Sequence, residues 1–524
     1  MFAFFPMRPL LHFLAALCCA QALAAKPPNI LIILADDLGY SDLGCYGSEI
    51  ATPHLDRLAA NGVRFTQFYN TARCWPTRSA LMTGYYPQQI GMDPPVKTPF
   101  PAWTRTLPQV LQPLGYRSYH SGKWHIERAP RVCADAGFDH SYHLKDQDRH
   151  FGPRRQEEDD APLPAATPGS GYYSTVAVAD HAIRYLQEHA EKYADKAFFS
   201  YVAFTVPHFP IQALPEDIAR YRDRYRAGWD VVRAERYERQ KKMGLVTCAL
   251  SSPEPQIVAP SGKESDLALL GPGELRTAES WASLTEEQKD FQATKLAIHA
   301  AMVDRMDREI GRVLEQVKAM GALENTVVFF LSDNGASAEV MVRGDGHDRA
   351  AAPGSAASYL CLGPGGSTVA NTPFRRHKIW VHEGGISTPL IVHWPAGIAA
   401  RGELRHDPGH VIDFMPTLLA LAGGQPPDPP LPGRNLVPAF SKDGAITRDE
   451  IFFHHSGNRA LRIGDWKLVS AEIDHDAWEL YDLATDRAES NNLASKQPDR
   501  VREMSARWQT LQDDFTKQAG AAPQ

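Results

Sequence analysis

The stretch Asn29–Asp37 reads NILIILADD: six apolar residues in succession, then two carboxylates. An apolar run without alternation has no polar face, so the segment is predicted to be a strand covered on both sides, as strands of parallel sheets are. Related runs follow it. They are YRSYHSGKWH (Tyr116–His125, weaker in apolar content), AFFSYVAFTVPHFP (Ala197–Pro210), TVVFFLSDNG (Thr326–Gly335) and TPLIVHWP (Thr388–Pro395). All five read as buried parallel strands. Helical patterns lie between them. The clearest places Ile298, Met302, Met306, Ile310 and Leu314 at intervals of four, with Gly321 where a helix stop belongs. Strands alternating with helices predict an α/β fold with a large, mostly parallel sheet flanked by helices.

Outward from these runs, 524 residues with 43% hydrophobic and 22% charged supply a large core and more than one domain. Residues 146–171 and 337–372 read as irregular loops. GGQPPDPPLPGRNL (Gly423–Leu436) reads as a linker. Beyond it, ALRIGDWKLVS and WELYDLATD read as strands, followed by a helix over Asp499–Phe515. The expected organisation is a main α/β domain over 26–425 and a smaller C-terminal α+β unit over 426–524. Ahead of both, Arg8, the apolar Pro9–Ala20 and the small-x-small pair Ala22 and Ala24 read as a signal peptide over 1–25, cut near Ala24 or Ala25. The run is too short to span a bilayer comfortably, so export to a periplasm or the exterior is expected, without stable membrane insertion.

A net charge of −7 argues against nucleic acid as the main partner. Of seven cysteines, Cys18 and Cys19 leave with the signal. Cys45, Cys74, Cys133, Cys248 and Cys361 remain, scattered and without a CxxC pair, which argues against zinc. Five is odd: at least one is free, modified or paired between chains, and if it is Cys74, the other four can pair in three ways.

Open α/β sheets bind ligands beyond the carboxyl ends of their strands. Four of the runs end in chemistry: Asp36 and Asp37; Lys123 and His125; His208; Asp333 and Asn334. Each alone has an ordinary explanation as a turn, a cap or a solvated charge. Four together do not. Three carboxylates and an amide are hard oxygen donors suited to calcium or magnesium, and clustered carboxylates repel one another unless a cation lies between them. Lysines and histidines can hold an anion and move protons. A cation and positive side chains around an electrophile suggest transfer of a sulfuryl or phosphoryl group.

Cys74 sits in TARCWPTRSALMTGYYP (Thr71–Pro87). Pro76 fits a first helical turn and Gly84 its end, which puts Cys74 at the helix N-terminus, where the dipole favours negative charge. Arg78 lies one turn on. A buried structural cysteine beside a helix start is the alternative reading of such a segment.

At this point the sequence resembles the type I, formylglycine-dependent sulfatases of the alkaline phosphatase superfamily, closest to bacterial arylsulfatase-like members. Six motifs stand in the family's order: Asp36-Asp37, CWPTR from Cys74 to Arg78, GKWH from Gly122 to His125, Pro207-His208, SDNG from Ser332 to Gly335, and Lys378 ahead of EGG at Glu383–Gly385. The ending GDWKLV…ELYDLATDRAESNNLA is similar as well. The resemblance implies that Cys74 is oxidised to Cα-formylglycine by a maturating, formylglycine-generating enzyme. It implies that Asp36, Asp37, Asp333, Asn334 and residue 74 bind one divalent cation, calcium or magnesium. Arg78 would steady the aldehyde hydrate, and Lys123 and Lys378 would hold sulfate oxygens. Asp333 would help deprotonate the nucleophile. His208, with Lys378, would protonate the leaving oxygen, and His125 would take the proton whose loss expels sulfate. The implied substrate is a sulfated carbohydrate or an aryl sulfate.

Three departures accompany the match. Trp75 is bulky, Thr77 stands where serine is more usual, and Ser387 stands where many members have arginine. Two other readings keep the fold: a phosphate or phosphonate ester hydrolase, and a non-catalytic sulfated-glycan-binding protein. Trp75, Tyr85, Trp103, Trp124 and His382 read equally as leaving-group contacts or as ordinary aromatics.

Overall fold

The computed structural model describes residues 26–95, 98–167 and 169–520; the expected signal peptide lies outside them. Eleven strands build the main sheet. In chain order they are β1 (Asn29–Ala35), β2 (Val63–Tyr69), β3 (Tyr116–Gly122), β4 (His140–Leu144), β5 (Gln156–Glu158), β6 (Ala161–Pro162), β7 (Ala197–Ala203), β8 (Thr326–Ser332), β9 (Ser387–His393), β10 (Glu403–Arg405) and β11 (Gly409–His410). Across the sheet the order is β10-β2-β9-β8-β1-β7-β3-β4-β5-β6, with β11 also on β2. Strands β8, β1, β7, β3 and β4 run parallel.

Consecutive residues of β1 serve two cores. Leu31, Ile33 and Ala35 point into the layer that holds the helices Ser174–Lys192 and Glu286–Ala319. Ile30, Ile32 and Leu34 point into the layer that holds the helices Cys74–Thr83, Phe414–Ala422 and Pro498–Gln518. That double cover is why the run shows no alternation. The long helix starts where Thr285 Oγ1 accepts the Gln288 amide at 3.2 Å, and Gly321 follows its end at φ 68°.

The structure corrects three sequence readings. TPLIVHWP is a strand, β9, but it runs antiparallel to both β8 and β2. A strand buried on both faces is apolar whichever way it runs, so composition carries no direction. VRFTQFY, the β2 segment, went unread because Arg64 and Gln67 interrupt it. The loop 146–171 contributes β5 and β6 to the sheet edge, and the loop 337–372 holds the helix Gly363–Ala370.

The C-terminal sheet has four antiparallel strands in sequence order: β12 (Glu450–His455), β13 (Asn458–Ile463), β14 (Trp466–Ser470) and β15 (Trp478–Asp482). The helix Pro498–Gln518 closes it, with Trp508 stacked on Phe452 at 5.4 Å between ring centres. Phe452, Leu461, Leu468, Leu480 and Trp508 belong to the same apolar cluster as Ile30 and Phe414, so the small sheet shares a core with the large one. All five cysteines of the described residues carry free thiols.

Candidate active site

The carboxyl rim of the main sheet collects every residue that the strand ends promised. Past β1, the Asp36 amide donates to the Val206 carbonyl and Asp37 turns to φ 64°. Past β3, Gly122 at φ 118° lies so close to β7 that a Cβ would stand 1.9 Å from the Ala203 carbonyl oxygen. Only glycine fits there, and this turn delivers Lys123 and then His125 at φ 57°. Asp37, Ala72 and His125 are non-glycine residues in the left-handed region, and all three flank the cluster. Such strain persists where the surroundings hold it, as functional sites do.

Strand β2 leads into the helix bearing Cys74. Thr77 Oγ1 accepts the Thr71 amide at 3.0 Å and meets the Thr71 hydroxyl at 2.8 Å, so a threonine closes this entry turn. Pro76 is the third residue of the helix and Gly84 ends it at φ 78°. Cys74 is buried at 3% exposure. The remaining arm arrives ahead of β9: the Lys378 amide donates to Ala336 O at 3.1 Å and the Ile379 amide to Ala72 O at 2.8 Å.

Four carboxylates and four cations interlock here, so the cluster is formally neutral. Lys123 Nζ lies 2.7 Å from Asp36 Oδ2. Arg78 binds Asp333 Oδ2 at 2.8 Å and stands 3.9 Å from Asp36 Oδ2. It also donates from Nη1 to the Lys123 carbonyl at 2.7 Å. Lys378 Nζ lies 2.8 Å from Asp37 Oδ2 and 3.1 Å from Glu339 Oε2, and Arg73 Nη2 lies 3.3 Å from Glu339 Oε1. Asn334 donates to Asp37 Oδ1 at 2.6 Å. Neither Glu339 nor Arg73 was foreseen from sequence. Their role rests on contacts with partners far along the chain; Glu339 stands in no motif, and Arg73 only precedes CWPTR.

Burial would push the Asp36 carboxyl up, but Lys123, His208, Arg78 and Lys378 outweigh it and hold the group far below the usual range. Asp333 goes the other way, raised by burial and by the charge of Asp36 against the pull of Arg78. One cation between the two removes that repulsion. Burial likewise opposes ionisation of the Cys74 thiol, yet Lys123 and Lys378 lower its pKa. His125 is pushed down to about 3 by burial and then by Lys123 and Arg78, so its ring is neutral near pH 7.

The donors fit a hard divalent ion. Oxygens of Asp36 and Asp333 and the Cys74 sulfur lie within 4.8 Å of one another. Asp36 Oδ1 and Asn334 Oδ1 are buried with no hydrogen-bond partner, and unsatisfied buried oxygens are costly unless something binds them.

His208 donates from Nδ1 to the Phe209 carbonyl at 2.6 Å, and its Nε2 stands 3.8 Å from Asp37 Oδ2. The ring of Trp75 lies between His125, at 5.7 Å, and His455 of the C-terminal sheet, at 5.5 Å. Of the other aromatics, Tyr85, Trp124 and His382 are core residues at 1% exposure or less, and Trp103 packs on Tyr85 at 4.9 Å. Ser387 donates to Glu383 at 2.9 Å. The guanidinium in its neighbourhood comes from Arg487 of the C-terminal segment, 3.0 Å from Glu383 and 3.3 Å from Ser387. A cavity of about 410 Å³ opens beside Lys123 and His125, walled by Trp124, His143, Lys145 and Arg155.

Comparison with known proteins gives the constellation its family. The sulfatase family model matches residues 28–424, and the model for the C-terminal region of N-sulphoglucosamine sulphohydrolase matches residues 375–514. An uncharacterized sulfatase of Schizosaccharomyces pombe is 33% identical over 92% of this chain and 93% of its own. An arylsulfatase of Klebsiella aerogenes is 30% identical over 78% of this chain and 89% of its own. Among solved structures, Ps i-CgsB in complex with k-i-k-neocarrahexaose superimposes with a TM-score of 0.68 at 23% identity, covering 95% of each chain. A protein solved with its substrate D-glucosamine-2-N,6-O-disulfate also gives 0.68, at 22% identity, over 94% of this chain and 99% of that one. The fold is that of the alkaline phosphatase superfamily, and with three quarters of its length under the family model the chain belongs to the sulfatase family, hydrolases of sulfuric esters.

Proposed function

We propose that this chain hydrolyses a sulfate monoester of a sulfated carbohydrate or an aryl sulfate, releasing an alcohol or phenol and inorganic sulfate, after Cys74 has been converted to Cα-formylglycine by a maturating enzyme. The observation that carries the reading is the position of Cys74. It stands at a helix head, within 4.8 Å of two carboxylates, its thiol under the influence of two lysines. Hydrated, the aldehyde supplies an oxygen nucleophile and a second hydroxyl through which sulfate is later expelled. Asp36, Asp37, Asp333, Asn334 and residue 74 would hold one divalent ion, calcium by preference, which offsets the negative charge of nucleophile and ester.

The remaining residues act directly. Lys123 and Lys378 hold sulfate oxygens and draw negative charge towards themselves as the ester bond stretches. Arg78 keeps Asp333 oriented and steadies residue 74. Asp333, held by Arg78 Nε at 2.9 Å beside residue 74, would help remove a proton from the nucleophile. His208, with Lys378, would protonate the leaving oxygen; the Phe209 carbonyl, which accepts from its Nδ1, supports that role by fixing the ring. His125, whose Nδ1 is buried without a partner, would take the proton whose loss expels sulfate. The reading includes export before function. Among the described residues no helix is long and apolar enough to cross a membrane.

Peptide mass spectrometry across Thr71–Pro87 on protein from its native host, paired with sulfate release from an aryl sulfate, tests the reading. The aldehyde at residue 74 and stoichiometric sulfate are expected. An unmodified thiol in active protein would sink it.

A further inference from the structure

Glu339 lies in the loop after β8, outside the oxygen set assigned to the ion. Its side chain is 1% exposed, and buried carboxylates are costly unless they are paired and hydrogen-bonded. Glu339 is both. Oε2 meets Lys378 Nζ at 3.1 Å and accepts from Ser337 Oγ at 3.0 Å, while Oε1 meets Arg73 Nη2 at 3.3 Å. The Glu339 amide in turn donates to Ser337 Oγ at 3.2 Å, which fixes the loop locally. One carboxylate thus ties Lys378 to Arg73, the residue immediately before Cys74, which lies 266 positions from Glu339 in sequence.

The two anionic partners of Lys378 are not equivalent. Asp37 already divides its oxygens between Lys378 and Asn334, and it belongs to the ligand set, so a bound cation draws on the same carboxylate. Among the described residues the Glu339 carboxylate pairs with Lys378, Arg73 and Ser337, none of which belongs to the ligand set. Its charge stays available to Lys378 whatever Asp37 is doing.

We infer that Glu339 is a positioning residue of the reaction: it holds Lys378 towards the leaving-group oxygen and, through Arg73, holds the first turn of the helix that carries residue 74. The inference rests on the proposed role of Lys378. Its consequence is selective. A lysine held by Asp37 alone is less well placed to neutralise an oxygen on which much charge develops, so the loss grows as the leaving group worsens.

The test compares Glu339→Gln with the parent enzyme, both produced with a formylglycine-generating enzyme and checked for aldehyde content and bound metal. The substrates are phenyl sulfate, a poor leaving group, and 4-nitrophenyl sulfate, a good one. We expect kcat to fall on the order of 100-fold for the first and only severalfold for the second, with KM within about twofold for both. Glu339→Asp, which keeps the charge one methylene short, recovers part of the loss on phenyl sulfate. An equal loss on both substrates, or a loss below about twofold on phenyl sulfate, overturns the inference. If Glu339→Gln fails to fold, the same ratio is read from Glu339→Asp, where a larger loss on phenyl sulfate supports the inference and an equal effect on both substrates overturns it. A parent enzyme that carries aldehyde and metal yet turns over neither substrate refutes the sulfatase reading instead.

Discussion

Arg78 Nε donates to Asp333 Oδ2 at 2.9 Å and its Nη2 lies 2.8 Å from the same oxygen, while the other oxygen of Asp333 accepts the Asp37 amide at 3.3 Å. Both side chains are fully buried. The pair therefore fixes a carboxylate of the site by its geometry, and it does so where neither charge can be left alone.

Removing one partner of such a pair costs about 3–5 kcal/mol, because the other stays buried and unpaired. Arg78→Ala is expected to lower the urea midpoint sharply and to abolish turnover. Arg78→Lys keeps the charge but not the two-nitrogen contact, and should fold with a smaller loss while remaining catalytically poor. A urea midpoint unchanged in Arg78→Ala would show that the pair contributes nothing to the fold.

Chelation tests the oxygen set. Protein treated with a chelator should lose activity and unfold at lower temperature, and calcium should restore both. At a free ion concentration of 100 Kd the linkage amounts to about 2.7 kcal/mol. Asp37→Asn should demand more ion for the same recovery. Thermal scans against calcium concentration provide the measurement; curves that coincide with and without the ion would remove Asp36, Asp37, Asp333 and Asn334 from that role.

Acid should destabilise the chain through its buried histidines. His125, His143 and His377 are pushed down to about 3, and His150 to about 4, in each case chiefly by burial. The unfolded chain binds protons at these rings near pH 6.5 while the folded chain does not. Their contribution is complete above about pH 6.5 and is lost as pH falls towards about 3, at roughly 1.4 kcal/mol per pH unit for each ring in the window. His143→Gln should flatten the slope of stability against pH between about 4 and 6. Urea titrations at several pH values give that slope, and an unchanged slope would mean His143 charges in the folded state.

Cys74→Ser leaves a hydroxyl that can attack sulfur but lacks the second hydroxyl needed to expel sulfate. It should fold, bind ion, and release at most one equivalent of phenol from an aryl sulfate. Stopped-flow absorbance reads this as a burst without a steady state; sustained turnover by the serine variant would contradict the proposed route. The parent enzyme, assayed in parallel on aryl phosphate, should be much slower than on aryl sulfate.

Much of this was legible because the apolar run of β1 and its neighbours each ends in a short polar signature, and local signatures need no knowledge of partners. Asp36, Lys123, His208 and Asp333 were readable as strand ends, and Cys74 as a helix head. The direction of β9 was not, since double burial erases it. Nor was Glu339, whose importance lies wholly in reaching Arg73 and Lys378. The opposite proton affinities of Asp36 and Asp333 were equally hidden: two aspartates at strand ends look alike until one faces Lys123 and the other is crowded by the first. Ser387 read as a departure near the site, and only the fold brings Arg487 from the far end of the chain to its side.

The reversed course of β9 has a practical outcome for anyone grafting sequence into this scaffold. For β1, β3, β7 and β8, the safe place for added residues is upstream of the strand, because the downstream connection is the one beside the chemistry. For β9 the rule inverts. A segment spliced in after His393 lands at the far edge, beside the start of β8, whereas the same segment spliced in before Ser387 would push Lys378 out of place.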